Sequence, residues 1–394
     1  MDMRLIINTG STSKKYALFR DDVCVLTARF EMVGTGCAVT YTRPEHADIH
    51  EEITERVYTD SLKAVFEKSC AFGLVCAWED IAAIGVRVVA PGTQFTKHQV
   101  IDDAYLEALA YMRSFAPLHV TPVLREIKIA RDTVSSVPLY AVSDSAFHTT
   151  IPEKLWRYSI AYADAETYDI RRFGYHGISM SSVIHTLPAI CEGMLPARVI
   201  VCHLGGGASI TAVHKGMSLD TSMGFSPVSG LHMNTRTGDI DADALAYLAE
   251  RKGMTFEEVR RYVQREGGLK GVTEGTSDMR DVLEAYTAGS ERCALALDMY
   301  TTRIKQYIGG YIALLGGLDT LVLTATAAER NPLFRALILK DLEHLGITLD
   351  TMKNQVLGDG ATGFINKDAG AVGVAVVPTD EMAEMNRHIS RMQG

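Results

Sequence analysis

The first thirty residues alternate between apolar runs and short polar breaks. Residues 4–8 (RLIIN), 14–20 (KKYALFR) and 23–30 (VCVLTARF) are rich in β-branched and aromatic side chains, separated by NTGSTSK and the pair Asp21-Asp22. That spacing predicts three strands joined by tight turns. The pattern recurs near residue 200, where RVIVC (198–202), the small-residue turn HLGGGAS, and ITAVH (210–214) follow one another. Strand, Gly/Ser turn, strand, repeated half a chain apart, points to a duplicated domain. Helical periodicity marks 60–72, 104–115, 241–252, 256–266, 281–316, 332–345 and 380–392, and apolar strand candidates fall at 81–89, 139–142, 318–324 and 370–376. Strands alternating with helices predict an α/β protein with largely parallel or mixed sheets covered by helices.

Residues 220–241 (DTSMGFSPVSGLHMNTRTGDID) fit neither period. A long stretch without its own secondary structure is commonly functional or disordered, and Met223, Phe225, Val228, Leu231 and Met233 give this one apolar anchors. It reads as an ordered loop lining a site. Arg236, set among small hydroxyl residues and Gly238, offers a planar fork of donors to an oxyanion; a surface salt bridge is the other reading.

At 394 residues the chain is long enough for two to three domains. Its net charge of −9 argues against nucleic acid or an anionic membrane as partner. Seven scattered cysteines form no CxxC or zinc spacing, as expected of reduced thiols in the cytoplasm. No signal peptide or membrane span is expected, since the most apolar run, 307–318, is short and interrupted by glycines.

Several turns carry chemistry. NTGSTSK, with Ser11, Ser13 and the following Lys15, offers backbone N–H groups, hydroxyls and a cation to an anion, although it is not a P-loop. HLGGGAS (His203, Gly205, Gly206, Gly207) offers the same without the lysine, and the pair suggests a grip on a polyphosphate. Arg87 sits inside the apolar run 81–89, where a charge must be paired or functional. His119 is read as following a helix, with Pro122 fixing a turn, and His176 lies in the Gly-flanked RRFGYHG. Asp144 and His148 follow a strand, at the end where α/β proteins bind ligands. His46 and His50 have metal spacing on a helix, but their acidic surroundings favour a solvated segment.

In order, NTGSTSK, RVV, FAPLH, SDSAFH, RRFGYHG, HLGGGAS, DTSMGFSP with GLHMNTRTGDID, TSDMRD and VVPTDE run nearly end to end. Together they resemble the acetate kinase family, short-chain acyl kinases of the sugar kinase, Hsp70 and actin superfamily. The resemblance implies a duplicated βββαβαβα fold, two domains around a cleft, and a homodimer. It implies an N-terminal domain over 1–148 completed by the C-terminal helix at about 382–394, and a nucleotide-binding and dimerisation domain over 149–381. It implies Mg²⁺ (or Mn²⁺) and small-molecule substrates, with ATP and acetate giving ADP and acetyl phosphate.

By position, the family's metal-associated residues fall on Asn8 and Glu381, its arginines on Arg87 and Arg236, its aspartate on Asp144 and its histidines on His119 and His176. The acetate pocket falls on Val89, Leu118 and Pro227, with Tyr175 in place of a phenylalanine. Nucleotide contacts fall on Asp278, Met279 and Arg280, and on Thr326, Ala327, Ala328, Glu329 and Arg330. The chain departs from the pattern mainly on this nucleotide side. HLGNG reads HLGGG, GIGEN reads TAAER, and Val86, Ala90 and Met180 replace histidines. Alanines at 327 and 328 would strain a turn that needs positive φ. Pyrophosphate in place of ATP, or a silent binding homologue, are the rival readings. Asp144 either orders the metal or orients an arginine.

Overall fold

The computed structural model describes residues 2–10, 13–34, 36–358, 360–368 and 371–394, with every side chain among them except that of Leu118. Two compact units divide the chain: Met1–Ala146 with Asp380–Gly394, and Phe147–Thr379.

In the first unit, strands β1 (Met3–Thr9), β2 (Ser13–Arg20), β3 (Val23–Val33), β4 (Gly36–Thr42), β5 (Ile49–Ile53), β6 (Ile81–Val88), β7 (Gln99–Val100) and β8 (Leu139–Ser143) form one sheet. Its order is β5-β4-β3-β2-β1-β6-β8-β7. The meander β1 to β5 is antiparallel, as short turns require, whereas β6 and β8 join parallel after helical crossovers. In the second unit, β9 (Arg198–Leu204), β10 (Ala208–His214), β11 (Met217–Thr221), β12 (Thr320–Thr324), β13 (Gly363–Phe364) and β14 (Gly373–Val376) are ordered β11-β10-β9-β12-β14-β13. The run β3-β2-β1-β6-β8 therefore has its counterpart in β11-β10-β9-β12-β14. The duplication read from the Gly/Ser turns is present in the topology.

The C-terminal helix Glu381–Gln393 returns to the first unit and packs on β6. Gly85 makes this possible: a Cβ there would stand 2.0 Å from Ile389 Cδ1. Among the described residues, no helix is long and apolar enough to cross a membrane.

Four elements differ from the sequence reading. The segment after Phe115 is not a turn fixed by Pro122 but a helix, Pro117–Thr133, with Pro122 inside it and His119 in its first turn. Pro117 occupies a favoured first position, and Pro122, which has no N–H to donate four residues back, leaves one bond of the helical ladder unmade. The helix expected over 281–316 is two helices, Met279–Thr287 and Glu291–Leu315. Gly289 (φ +91) breaks it, and Ser290 caps the second helix by accepting from Cys293 N. Residues 326–330 form a short helix, so Ala327 and Ala328 are unstrained, and the positive φ (+67) falls on Ala325. His50 lies on β5, an edge strand whose sequence IHEEI carries more polar than apolar residues and gives no strand signal; β5 and its inner neighbour β4 are both additions to the sequence reading.

Candidate active site

In the first unit the chemistry collects at the C-terminal ends of three adjacent parallel strands, β1, β6 and β8. Asn8 is near the end of β1, Arg87 near the end of β6, and Asp144 directly follows β8. Asp144, 1% exposed, receives a two-pronged contact from Arg87, Nε to Oδ1 at 3.2 Å and Nη2 to Oδ2 at 3.0 Å. Arg87 Nη1 donates to Glu381 Oε2 at 2.9 Å and to Asn8 Oδ1 at 3.5 Å, and Asn8 Nδ2 donates to the same Glu381 oxygen at 2.9 Å. Burial opposes charge on Arg87, yet Asp144 and Glu381 outweigh it and hold its pKa above the ordinary value. This guanidinium is permanently charged and already engaged on both sides.

Val89 is half-buried just past β6, and His119 is half-buried. Of the NTGSTSK turn, Ser11 lies outside the described residues, Ser13 begins β2, and Lys15 is exposed opposite Asn8 in the β1–β2 register. The neighbouring Lys14 is not available to a ligand: it is buried in an ion pair with Glu126 at 2.5 Å.

Hard oxygen donors from Asn8, Asp144 and Glu381 suit Mg²⁺, which takes one or two carboxylates and completes its shell from water and substrate phosphate. The shared Glu381 oxygen and the Asn8 amide make a compatible, incomplete donor set. Among the described residues no cluster of three metal-ligating His, Cys, Asp or Glu side chains exists, so a stand-alone protein cage is not built.

His98, which no motif singles out, supports this corner. Its Nδ1 accepts from Ser143 N at 3.1 Å, and its ring lies 4.1 Å from that of His388 on the C-terminal helix. Burial, and then His388, pull its pKa down to about 3 against a smaller opposing pull from Glu384. A histidine with a depressed folded pKa contributes stability above its unfolded value, and that contribution is lost as pH falls toward the folded value. We expect about 2 kcal/mol less stability at pH 5 than at pH 7 from this group. Urea unfolding of the wild type and His98→Gln across that range checks it; parallel pH dependences would acquit His98.

In the second unit, the turn after β9 and the turn after β12 stand side by side, since the two strands are parallel neighbours. Gly205 N donates to Gly207 O at 3.0 Å to close the first turn; Gly206 is exposed. His203 is buried and its ring stacks 4.1 Å from that of His176. His176 adopts φ +60 ahead of the helix Gly177–Thr186, with Nδ1 3.0 Å from Ser209 Oγ. Gly207 lets these neighbours come close: a Cβ would lie 3.2 Å from His176 Nε2, a tight contact, and 3.6 Å from Arg236 Nη1. Both donors therefore face the same small-residue turn.

Arg236 differs from Arg87 in what holds it. Its Nη1 donates to Pro227 O at 2.9 Å and contacts Met233 Sδ at 3.5 Å, and no carboxylate pairs with it among the described residues. Burial alone pulls its pKa down to about 10, leaving a cation at neutral pH that an incoming anion would stabilise. Tyr175 is 1% exposed and its hydroxyl donates to Phe225 O at 2.6 Å, so the extra oxygen pins the loop. Pro227 is buried.

On the nucleotide side, Asp278 caps the helix Met279–Thr287 and forks Arg280 at 3.1 and 2.7 Å, with Met279 buried beneath. Glu329 Oε1 accepts from Ala325 N at 2.6 Å and Thr324 Oγ1 at 3.2 Å, holding the 325 turn shut. Ala327 is half-buried, Ala328 buried, and Thr326 and Arg330 exposed. Asp278, Arg280 and Glu329 thus satisfy one another or their own backbone, rather than forming an evident set of open donors.

Comparison with known proteins places this geometry. The acetokinase family model matches residues 3–387. An acetate kinase of Shouchella clausii is 36% identical over 393 residues, covering 98% of each chain, and one of Bacillus subtilis is 35% identical over 396 residues, covering 100% of each. Among solved structures, a propionate kinase from Francisella tularensis superposes with a TM-score of 0.89 at 32% identity, over 98% of this chain and 99% of that one. The Porphyromonas gingivalis acetate kinase gives 0.87 at 31% identity over 100% of both. The chain belongs to the acetokinase family and is a phosphotransferase that acts on a carboxylate.

Proposed function

We propose that the protein transfers the terminal phosphoryl group of ATP to acetate or propionate, reversibly, giving ADP and the acyl phosphate. The observation that carries this reading is the contrast between its two arginines: Arg87 is locked between carboxylates, while Arg236 is desolvated without a counter-charge. A carboxylate nucleophile is ionised at neutral pH and needs no strong base, so the task is to align two anions and stabilise charge on the transferring group. Arg236 and His176 would donate to the equatorial oxygens of that group. Arg87, fixed by Asp144, would orient the substrate carboxylate, and the family resemblance assigns its alkyl end to Val89, Leu118 and Pro227. Asn8 and Glu381, with Asp144 through water, would hold Mg²⁺ (or Mn²⁺), which when bound supplies positive charge to the donor phosphates. Hydroxamate trapping of the acyl phosphate, with acetate and either ATP or pyrophosphate, tests the reading. Absence of trapped product with either donor would leave a silent homologue.

Pyrophosphate remains the second reading on one observation. Ala325 has φ +67 and ψ 162, a conformation suited to glycine, and its Cβ faces Gly205 at 3.4 Å from the position a Cβ there would take. The methyl thus stands between the two turns read as nucleotide-binding. Ala325→Gly is expected to stabilise the fold by about 1 kcal/mol and to tighten ADP binding several-fold. Thermal unfolding and calorimetric titration of ADP and pyrophosphate check both. ADP binding unchanged by the substitution would remove Ala325 from the nucleotide side.

We also infer a cytoplasmic homodimer assembled through the unit Phe147–Thr379. All seven cysteines are unpaired, in keeping with a reducing compartment. That unit leaves large apolar side chains exposed, Phe256 at 92% the extreme. Sedimentation equilibrium decides the oligomeric state.

A further inference from the structure

The 220–241 loop begins and ends at a second concavity, away from Gly207 in sequence and chemistry. Asp220 from the end of β11, Asp239 from the loop, and Arg303, Tyr307, Gly310 and Tyr311 from the helix Glu291–Leu315 contribute to a pocket of about 370 Å³. That volume suits a small metabolite rather than a nucleotide.

Its charges do not cancel internally. Asp220 is answered by Arg172, whose Nε lies 3.6 Å away and whose Nη1 also donates to the carbonyls of Thr221, Ser222 and Met223. Asp239 has only neutral donors: Gly230 N to Oδ1 at 2.7 Å and the Tyr307 hydroxyl to Oδ2 at 2.7 Å. Arg303 lines the same pocket with no carboxylate paired to it among the described residues. Tyr311 is 5% exposed, and its hydroxyl has no hydrogen-bond partner. A buried phenol left without an acceptor is costly, and the pocket it lines is where an acceptor could enter. One unpaired anion, one unpaired cation and an unused donor together describe the complement of a zwitterion.

We propose that this pocket binds a free α-amino acid, with its ammonium group on Asp239, its carboxylate on Arg303 and Tyr311, and its side chain along Gly310. The site is regulatory. Asp239 closes the loop that carries Arg236: besides the Oδ1 contact, its N donates to Gly230 O at 3.0 Å. Gly238, at φ +71, leaves no slack there, since a Cβ would sit 2.5 Å from His232 N. A ligand that takes up the Asp239 carboxylate therefore acts on the base of the loop that positions Arg236.

The test uses the full chain, titrated calorimetrically with glycine, L-serine, L-leucine and L-glutamate beside their N-acetyl and amide derivatives. At least one free amino acid is expected to bind saturably and to shift the acetate KM by about fivefold or more, a usual size for coupled sites. Its derivatives, each lacking one charge, should bind at least about tenfold more weakly, the loss of one charged contact. Gly310→Leu fills the pocket without disturbing the fold: no heavy atom lies within 4 Å of an added Cβ, and leucine favours helix. It should abolish binding and leave basal turnover unchanged. No saturable binding by any of the four, equal binding of the derivatives, or normal binding by Gly310→Leu would each overturn the proposal. So would silent titrations combined with a changed oligomeric state in Gly310→Leu, which would give this face to a second copy of the chain. Because binding is read by heat, failure here is separable from failure of the phosphotransfer reading.

Discussion

Arg236→Ala is expected to lower turnover by at least about a hundredfold while the protein stays folded, since one preorganised transition-state donor contributes about that much. The wild-type side chain is anchored by Pro227 O and Met233 Sδ and faces Gly207 beside His176 Nε2. Its charge is therefore placed in advance of any substrate. Removing it leaves the loop's own framework intact, because Met233 N to Arg236 O, Asp239 N to Gly230 O and Tyr175 Oη to Phe225 O do not involve the guanidinium. Arg236→Lys should recover little, because a single ammonium cannot hold Pro227 O and reach an oxyanion together. Acyl phosphate formation by hydroxamate trapping, with circular dichroism as control, reads both variants. A folded alanine variant that turns over near the wild-type rate would take Arg236 out of the reaction.

Much of this was legible in the chain because the relevant signals were local. The Gly/Ser turns between apolar runs gave β1–β2 and β9–β10, and their recurrence gave the paired sheets. The loop 220–241 announced itself by fitting no period, and Arg236 by standing alone within it. What the sequence could not supply was which partner each charge would find. Arg87 reads as paired or functional without naming its partner, and Asp144 and Glu381 arrive from 57 and 294 residues away to enclose it. His98 carries no motif of its own, and its role comes from β8 and the C-terminal helix that pack against it. The alanines at 327 and 328 were suspected of strain that a single helical turn removes and passes to Ala325. In each case tertiary contact, rather than propensity, decided the outcome.

Lys14 is the sharpest such case, and it carries the second large effect. It stands in NTGSTSK beside the Lys15 read as the phosphate-binding cation, yet it points into the core of the first unit. Its Nζ meets Glu126 Oε1 at 2.5 Å, Tyr58 O at 2.9 Å and Ser61 Oγ at 3.0 Å, while Tyr16 donates its hydroxyl to Glu126 Oε2 at 2.7 Å. Burial, and then Glu126, raise the pKa of Tyr16, so it remains a neutral donor. Glu126 is 1% exposed, on the long helix Pro117–Thr133 that also bears His119. Removing either member strands the other charge away from water, so Lys14→Met and Glu126→Leu should each cost about 3–5 kcal/mol. The double variant should lose clearly less than the sum, because no charge is then left stranded. Trp78, stacked on Phe66 at 3.7 Å within this unit, reports its unfolding in urea once Trp156 is replaced by phenylalanine. Additive losses, or single losses under about 1 kcal/mol, would mean the pair behaves as a solvated surface bridge. The Lys14→Met protein, held at a temperature where it is folded, should keep its turnover, leaving Lys15 as the cation that this turn offers to a phosphate.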